Sequence, residues 1–274
     1  MTVPPTDVLR VNWNGGFFLR HFLPLTLRFT EVPHQISIWD NGSRDDSRGL
    51  LSLYSKAFPE RVRVYRSRRN VGHGQALENL LNETSREYVV FLDCDAVPLR
   101  SGWIADLRGP VLGGAAACGV PHLNLDFLHP SCLCTTRTEL ADLGVDIQPN
   151  YSVAENGEWT QDWRDVLEDL TRKAHAHGRA LATIPSDGDF LFDGFGRTYG
   201  DGMLYHHWFG TRLSPHGGLS EVEGGRSRER LRASQASLQE WMTGRELWVD
   251  GMDPGGARGR WHYLAGCALG RLGL

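Results

Sequence analysis

Asp93 and Asp95 are separated by one residue and follow directly on the apolar run Tyr88, Val89, Val90, Phe91, Leu92. Such a run, rich in β-branched and aromatic residues, predicts a buried strand. Two carboxylates at its end are costly to desolvate unless a cation compensates them. The carboxyl end of a parallel strand is also where α/β sheets place their ligands. An Asp-x-Asp there suits a divalent metal carrying a phosphate group, because hard cations take oxygen ligands. The plainer reading of the same residues is a capped turn leading into a helix near Trp103.

Holding those carboxylates at a ligand edge requires a sheet, and the preceding residues carry its pattern. A short strand over 8–11 runs into the turn formers Asn12, Trp13, Asn14, Gly15 and Gly16. A helix is predicted over 17–29, with Pro24 as a candidate kink. Residues 35–39 alternate with period two and end at Asp40, Asn41, Gly42 and Ser43, before a helix over 46–57. A third alternating segment, 61–65, ends in the basic run Arg66, Arg68, Arg69 and then Asn70, Gly72, His73 and Gly74. Ala76, Leu77, Leu80 and Leu81 follow at helical spacing. Strand–helix three times and then a fourth strand is the signature of a doubly wound, largely parallel sheet of the α/β class. Asn12, Asp40, Asn70 and Asp93 would share its carboxyl edge. The first turn lacks Gly-x-Gly-x-x-Gly and no Walker-type loop is present, so a bound nucleotide would be held in another way.

Composition narrows the partners. The 274 residues carry a formal net charge of −4, against the basic face expected of a nucleic-acid binder. No apolar run approaches the roughly 20 residues needed to span a bilayer, and the first residues lack a charged and then apolar leader pattern. Five cysteines without regular spacing predict free thiols in a reducing cytoplasm, with Cys132 and Cys134 packed along a strand. The expected location is cytoplasmic, with a peripheral membrane contact left open.

Four blocks, taken together, resemble the family 2 glycosyltransferases of the GT-A fold. They are Val11 to Asn14; Trp39 to Ser43; Asn70 and Gly72 with Ala76 and Asn79; and Phe91 to Asp95. The resemblance covers roughly residues 7 to 215. It implies a nucleotide-diphospho-sugar donor, a divalent cofactor (Mn²⁺ or Mg²⁺) and usually inversion at the anomeric carbon. Asp40 would accept the imino hydrogen of uracil or thymine, with Asn12 and Trp13 beside the base. Asn70 would help hold the nucleoside, Asp93 would reach the ribose or the metal shell, and Asp95 would ligate the metal. Arg66, Arg68 and Arg69 are candidates to add positive potential near the diphosphate.

The second half reads less sharply. Small residues over 113–120 suit close packing, His129 opens a strand facing the acceptor, and a short helix spans 137–143. Trp163, Val166, Leu167, Leu170 and Ala174 predict a helix that Thr160 would cap. By the resemblance the general base lies at that helix start, which makes Asp162 first choice, with Glu155 and Glu158 as substitutes. A strand over 180–184 and a glycine- and aromatic-rich stretch over 186–202, expected as a lid, lead to His206 and His207. The family often takes a late histidine as a further metal ligand. Neighbours on a strand point to opposite faces, so one of the two should reach the metal. His175 and His177 are expected at the surface. Beyond it, 227–242 is an amphipathic helix buried along Leu231, Leu238, Trp241 and Met242, 251–259 a linker, and 261–272 a second helix. Trp248, Trp261 and Tyr263 are candidate sugar-stacking aromatics, with packing as the alternative.

The expectation is therefore a GT-A catalytic domain over 1–215, split into a nucleotide-sugar-binding half (1–98) and an acceptor half (99–215). A small helical C-terminal appendage over 216–274 would complete it. The activity would be metal-dependent transfer of a sugar from a UDP- or dTDP-sugar to a hydroxyl acceptor, with homodimerisation left open. A sugar-1-phosphate nucleotidyltransferase and a non-catalytic sugar-nucleotide-binding protein are the alternatives.

Overall fold

Three of the first four strands are buried along nearly their whole length, and their order sets the position of everything else. The structure, a computed structural model, describes residues 4–31, 33–123, 125–150, 164–208 and 228–245. Its first half runs β1 (Thr6–Asn12), α1 (Gly16–Phe29), β2 (Gln35–Asp40), α2 (Ser47–Ala57), β3 (Val62–Arg66), α3 (His73–Glu83) and β4 (Tyr88–Leu92). The second half adds β5 (Ala96–Pro98), α4 (Trp103–Leu112), β6 (Ala117–Pro121), β7 (Leu128–Thr136), α5 (Arg137–Asp142) and α6 (Glu168–Ala176). It closes with β8 (Leu181–Thr183), β9 (Gly196–Tyr199), β10 (Leu204–His207) and α7 (Arg228–Thr243).

Seven strands form the main sheet in the order β3-β2-β1-β4-β7-β6-β8. All neighbours are parallel except at β7, which is antiparallel to both β4 and β6. The order reverses between β1 and β4, so their carboxyl ends open a crevice at a topological switch point. A smaller antiparallel sheet, β5-β10-β9, stands beside it. Alternation along each strand feeds two faces. Val8 and Val90 pack with α1, α2 and α4 through Leu23, Leu50 and Leu107. Leu9 and Val89 pack on the other face with α3 and α6 through Leu77 and Leu170. The second row of α1, Phe18 and Phe22, meets Tyr205 and the buried Leu238 and Met242 of α7. Pro24 lies inside α1 without ending it.

One expectation needs correction. The helix predicted from Trp163 begins at Glu168, because Leu167 takes a left-handed conformation (φ 61°) as its N-cap. Glu168 reaches back to accept the Asp165 N–H at 2.8 Å, while Val166 and Leu167 are buried in the turn before the helix. Their apolar spacing therefore reflects burial in a turn as well as in a helix. Thr160, the expected cap, lies outside the described residues. The stretch predicted as a lid is a turn-rich hairpin. Asp187 accepts the N–H groups of Asp201 and Gly202 at 2.7 and 2.8 Å, and Ser186 bridges to Tyr199. Of the stripe expected on α7, Leu238 and Met242 are buried and Trp241 is half-buried, while the Leu231 side chain lies outside the described set. The second C-terminal helix, with Trp248, Trp261 and Tyr263, also lies outside the described residues. Among those described, no helix is long and apolar enough to cross a membrane.

The opposite end of the sheet carries a pH-sensitive contact. The Thr6 N–H donates to His34 Nδ1 at 3.2 Å. Burial, with Arg108, Arg86 and Arg61 nearby, pushes this imidazole down to about 4. The unfolded chain takes up the same proton near pH ~6.5. The contribution is thus fully present above that pH and lost as the pH falls towards about 4. Allowing for solvent screening, urea titrations should lose about 1–2 kcal/mol from this group between neutral pH and pH ~4. His34→Gln should flatten the dependence by that amount.

Candidate functional site

The site is built around a single turn, Asp93 to Ala96, that leaves the main sheet at the end of β4 and enters the small one at β5. Asp93 donates its N–H to Ser131 O on β7 at 3.1 Å, and Ala96 closes the turn on Asp93 O at 3.1 Å. Beneath it lies Arg10, a fully buried guanidinium in the middle of β1. Its Nη2 donates to the carbonyls of Asp93, Cys94 and Ala96, each at 3.0 Å, and its Nη1 donates to Thr26 Oγ1 at 2.9 Å. The fourth carbonyl, of Asp95, accepts the His207 N–H at 2.8 Å. Every carbonyl of the turn is thus held from below, leaving the two carboxylates to face the crevice. Burial lowers the Arg10 pKa to about 10, while Cys94, Asp95 and Asp93 oppose the fall; it stays cationic at neutral pH.

Asp93, Asp95 and His206 present ligand atoms within 4.8 Å of one another. His206 stands opposite Ala96 in the β5–β10 pairing, with Nε2 3.5 Å from Asp95 Oδ1. Its Nδ1 is buried with no hydrogen-bond partner among the described residues. For Asp95, burial opposes ionisation, but the hydrogen bond and charge of His206 outweigh it, so its pKa is lowered. Burial and the neighbouring Asp95 charge push Asp93 the other way. Two crowded carboxylates, Asp95 buried and Asp93 half-buried, beside an imidazole nitrogen with no partner among the described residues form a donor set that fits Mn²⁺ or Mg²⁺.

His207 points to the opposite face. Its Nδ1 lies 2.6 Å from the Tyr205 hydroxyl and its Nε2 3.1 Å from Ser234 Oγ on α7, and burial depresses its pKa to about 4. Of the two histidines expected as ligands, the structure brings only His206 to the carboxylates.

The nucleoside-side candidates sit on the ends of β1 and β2. Asn12 and Asp40 are register partners and both are buried. Ser43 links them: it accepts from Asn12 Nδ2 at 3.0 Å and from the Asn14 N–H at 2.9 Å, and its own N–H donates to Asp40 Oδ1 at 3.3 Å. Asn12 Oδ1 is buried with no partner among the described residues. Asn41 donates to Asn70 Oδ1 at 2.9 Å and accepts the Val71 N–H at 2.9 Å, tying the β2 end to the loop before α3. Gly42 (φ 75°) makes that approach possible, since a Cβ there would lie 2.6 Å from the Arg69 backbone. Trp13 is half-buried and Asn70 exposed, as are Arg66, Arg68 and Arg69 at the rim. Asp162, Glu155 and Glu158 lie outside the described residues.

Sequence reasoning gave no role to His73, His122 or Asp165, and placed His129 only at the opening of a strand facing the acceptor. His73, the first residue of α3, lies 3.5 Å from Asp93. His122, His129 and Asp165 form a second cluster within 4.8 Å, whose Asp165 raises the Asp93 pKa and whose His129 ring lies 5.8 Å from that of His206. An Asn-x-Gly-His string and paired histidines around a strand start were the only local signals.

A mostly parallel seven-stranded sheet flanked by helices, with the Asp-x-Asp turn at its switch point, is the architecture of a GT-A glycosyltransferase. Residues 19–125 match the model described as glycosyl transferase family 2. Among solved structures, one similar chain is a mannosyltransferase from Pyrobaculum calidifontis, solved with GDP-Man and Mn²⁺. The two share 14% identity at a TM-score of 0.53, over 97% of this chain and 80% of that one. Another is GalNAc-T7, solved with UDP, GalNAc and Mn²⁺, at 14% identity and a TM-score of 0.50 over 65% of this chain and 42% of that one. At these identities the likeness is one of fold. No protein of curated function matches the chain in sequence.

The Arg10 clamp yields a stability prediction. Arg10→Met leaves three buried carbonyls short of a donor and should cost about 2–4 kcal/mol by urea unfolding. Arg10→Lys should recover only part of this, because one ammonium cannot reproduce the planar fork.

Proposed function

We propose that the chain transfers a sugar from a nucleotide-diphospho-sugar to an acceptor hydroxyl, using a divalent metal held by Asp93, Asp95 and His206. The observation that carries this reading is the convergence of those three side chains within 4.8 Å at the switch point of the sheet. The bound cation would supply charge stabilisation for the departing nucleoside diphosphate. The chain's own groups do the rest. Asp40 accepts the imino N–H of a uracil or thymine, which favours a UDP- or dTDP-sugar. Asn12, with its orphaned Oδ1, and Trp13 border the base, and Asn70 holds the nucleoside. Arg10 fixes the turn so that the carboxylates need not reorganise when the donor enters.

Transfer by inversion requires a base on the acceptor side, and Asp162 is the proposed residue, with Glu155 and Glu158 as substitutes. It removes the acceptor proton as the oxygen attacks the anomeric carbon and the diphosphate leaves. A cytoplasmic setting accords with the unpaired Cys94, Cys118, Cys132 and Cys134. A sugar-1-phosphate nucleotidyltransferase is disfavoured by the first turn, which offers no glycine-rich basic loop.

Calorimetry with UDP, dTDP and GDP, each with and without Mn²⁺, tests the donor site. Metal-dependent binding of UDP or dTDP should fall about 100-fold or more in Asp95→Ala and at least tenfold in His206→Ala. Ser234→Ala, which releases His207 from α7, should leave it unchanged. Absence of metal-dependent binding for all three nucleotides would overturn the reading. Asp162→Asn should retain nucleotide binding while kcat for transfer falls by about 10²–10⁴.

A further inference from the structure

Charge is unevenly divided along the chain. Residues 44–69 carry eight Lys and Arg against three Asp and Glu, a net +5 in a chain whose total is −4, so the remainder carries −9. Two of the three acids are already committed. Asp45 accepts the Gly16 and Ser47 N–H groups at 2.9 and 3.1 Å, and Asp46 pairs with Arg20. Six of the cations, Arg44, Arg48, Lys56, Arg66, Arg68 and Arg69, are exposed, and none forms an ion pair among the described residues. They adjoin one another. Arg48, Ser52 and Lys56 fall four apart on α2 and so share one face. Arg66, at the end of β3, leans on that face, donating to Ser52 Oγ at 2.7 Å and to Arg48 O at 3.3 Å. The chain then turns through Arg68 to Arg69, whose backbone lies against Gly42, two residues before Arg44.

β3 is an edge strand of the main sheet, and charge on an edge strand guards it against pairing with another chain. Five of the six cations lie outside β3, however, on α2 and the flanking loops, where there is no edge to guard. A small anion would need donors that converge in a buried pocket, whereas these are exposed and strung along a rim. A single-stranded nucleic acid would use exposed aromatic faces to stack its bases. The aromatic of β3, Tyr65, is instead stacked on Trp39 at 6.5 Å, on the face opposite Arg66. Exposed cations spread over a rim, each adding its own attraction, fit an extended anionic surface such as a bilayer. The same surface repels the remaining −9, which selects one orientation. We infer that the rim formed by α2, the end of β3 and the loop after it docks on a membrane surface rich in anionic lipid. The Arg44 N–H donates to Asn14 Oδ1 at 2.7 Å, next to the Ser43 that joins Asn12 to Asp40, so docking holds the crevice beside the headgroups.

Flotation of the full chain with large unilamellar vesicles tests this without nucleotide or metal, so the outcome is separate from that of the glycosyl-transfer reading. Vesicles of phosphatidylcholine alone are compared with vesicles holding about one third phosphatidylserine. The expected result is binding to the anionic vesicles only, lost at about 1 M salt, where the screening length falls to about 3 Å. The triple variant Arg44→Gln, Arg48→Gln, Lys56→Gln should bind them about 100-fold more weakly. None of these three side chains donates a hydrogen bond among the described residues, so the fold is retained, which thermal unfolding checks. Arg44→Lys with Arg48→Lys should stay within about threefold of wild type, because a bilayer reads summed charge. Wild type that fails to bind anionic vesicles overturns the inference, as do equal binding to both vesicle types and unchanged binding in the triple variant. Salt-sensitive binding of an oligonucleotide in place of vesicles replaces the bilayer with a nucleic acid. Concentration-dependent dimerisation lost in the triple variant, without vesicle binding, replaces it with a second copy of the chain.

Discussion

A buried cation with no carboxylate among the described residues hydrogen-bonded to it is an expensive thing to place in the middle of a central strand. Arg10 is tolerated there because its fork ends on three carbonyls of one turn, and because that turn carries Asp93 and Asp95 on its outer side. The arrangement works in both directions. The carbonyls and nearby carboxylates offset the desolvation of the guanidinium, and the guanidinium offsets the repulsion between two crowded carboxylates. Removing either side leaves the other uncompensated, so the sheet centre and the site are one electrostatic unit. That unit also dictates topology. β1 must lie beside β4 for Arg10 to reach the turn, and their parallel pairing supplies this directly.

From that turn the rest of the mouth follows by register. β5 continues the turn into the small sheet, and its pairing with β10 sets His206 opposite Ala96, hence beside Asp95. Period-two alternation then sends His207 to the far side, where Tyr205 and Ser234 occupy its nitrogens. Adjacent, identical side chains acquire different tasks from strand geometry alone: one completes the acidic cluster, the other fastens α7 to α1 and β10.

The amount of this legible in the sequence depended on how local each signal is. Strands buried on both faces leave apolar runs, and ligand edges leave polar residues at their ends, so β1 to β4 with Asn12, Asp40 and Asp93 could be read directly. Arg10 could not. In a short alternating strand it looks like an outward-facing residue, and only the turn more than eighty positions away explains its burial. The antiparallel β7 between β4 and β6 was hidden for the same reason, since pairing direction leaves no trace in composition. Nor was the start of α6 local: Val166 and Leu167 have helical spacing, but the Glu168 side chain caps Asp165 and turns the chain before the helix begins. His122 and His129 gave no periodic signal, and the pairing of β6 with β7 brings them together.

The two clusters at the mouth show how similar residues can be held in different ways within a few ångströms. The first combines two carboxylates and a histidine whose Nδ1 is buried and unpartnered among the described residues, an excess of lone pairs that calls for a cation. In the second, Nδ1 of His122 and of His129 each accepts a backbone N–H, from Leu125 and Ser131, so strand and loop backbone hold both rings.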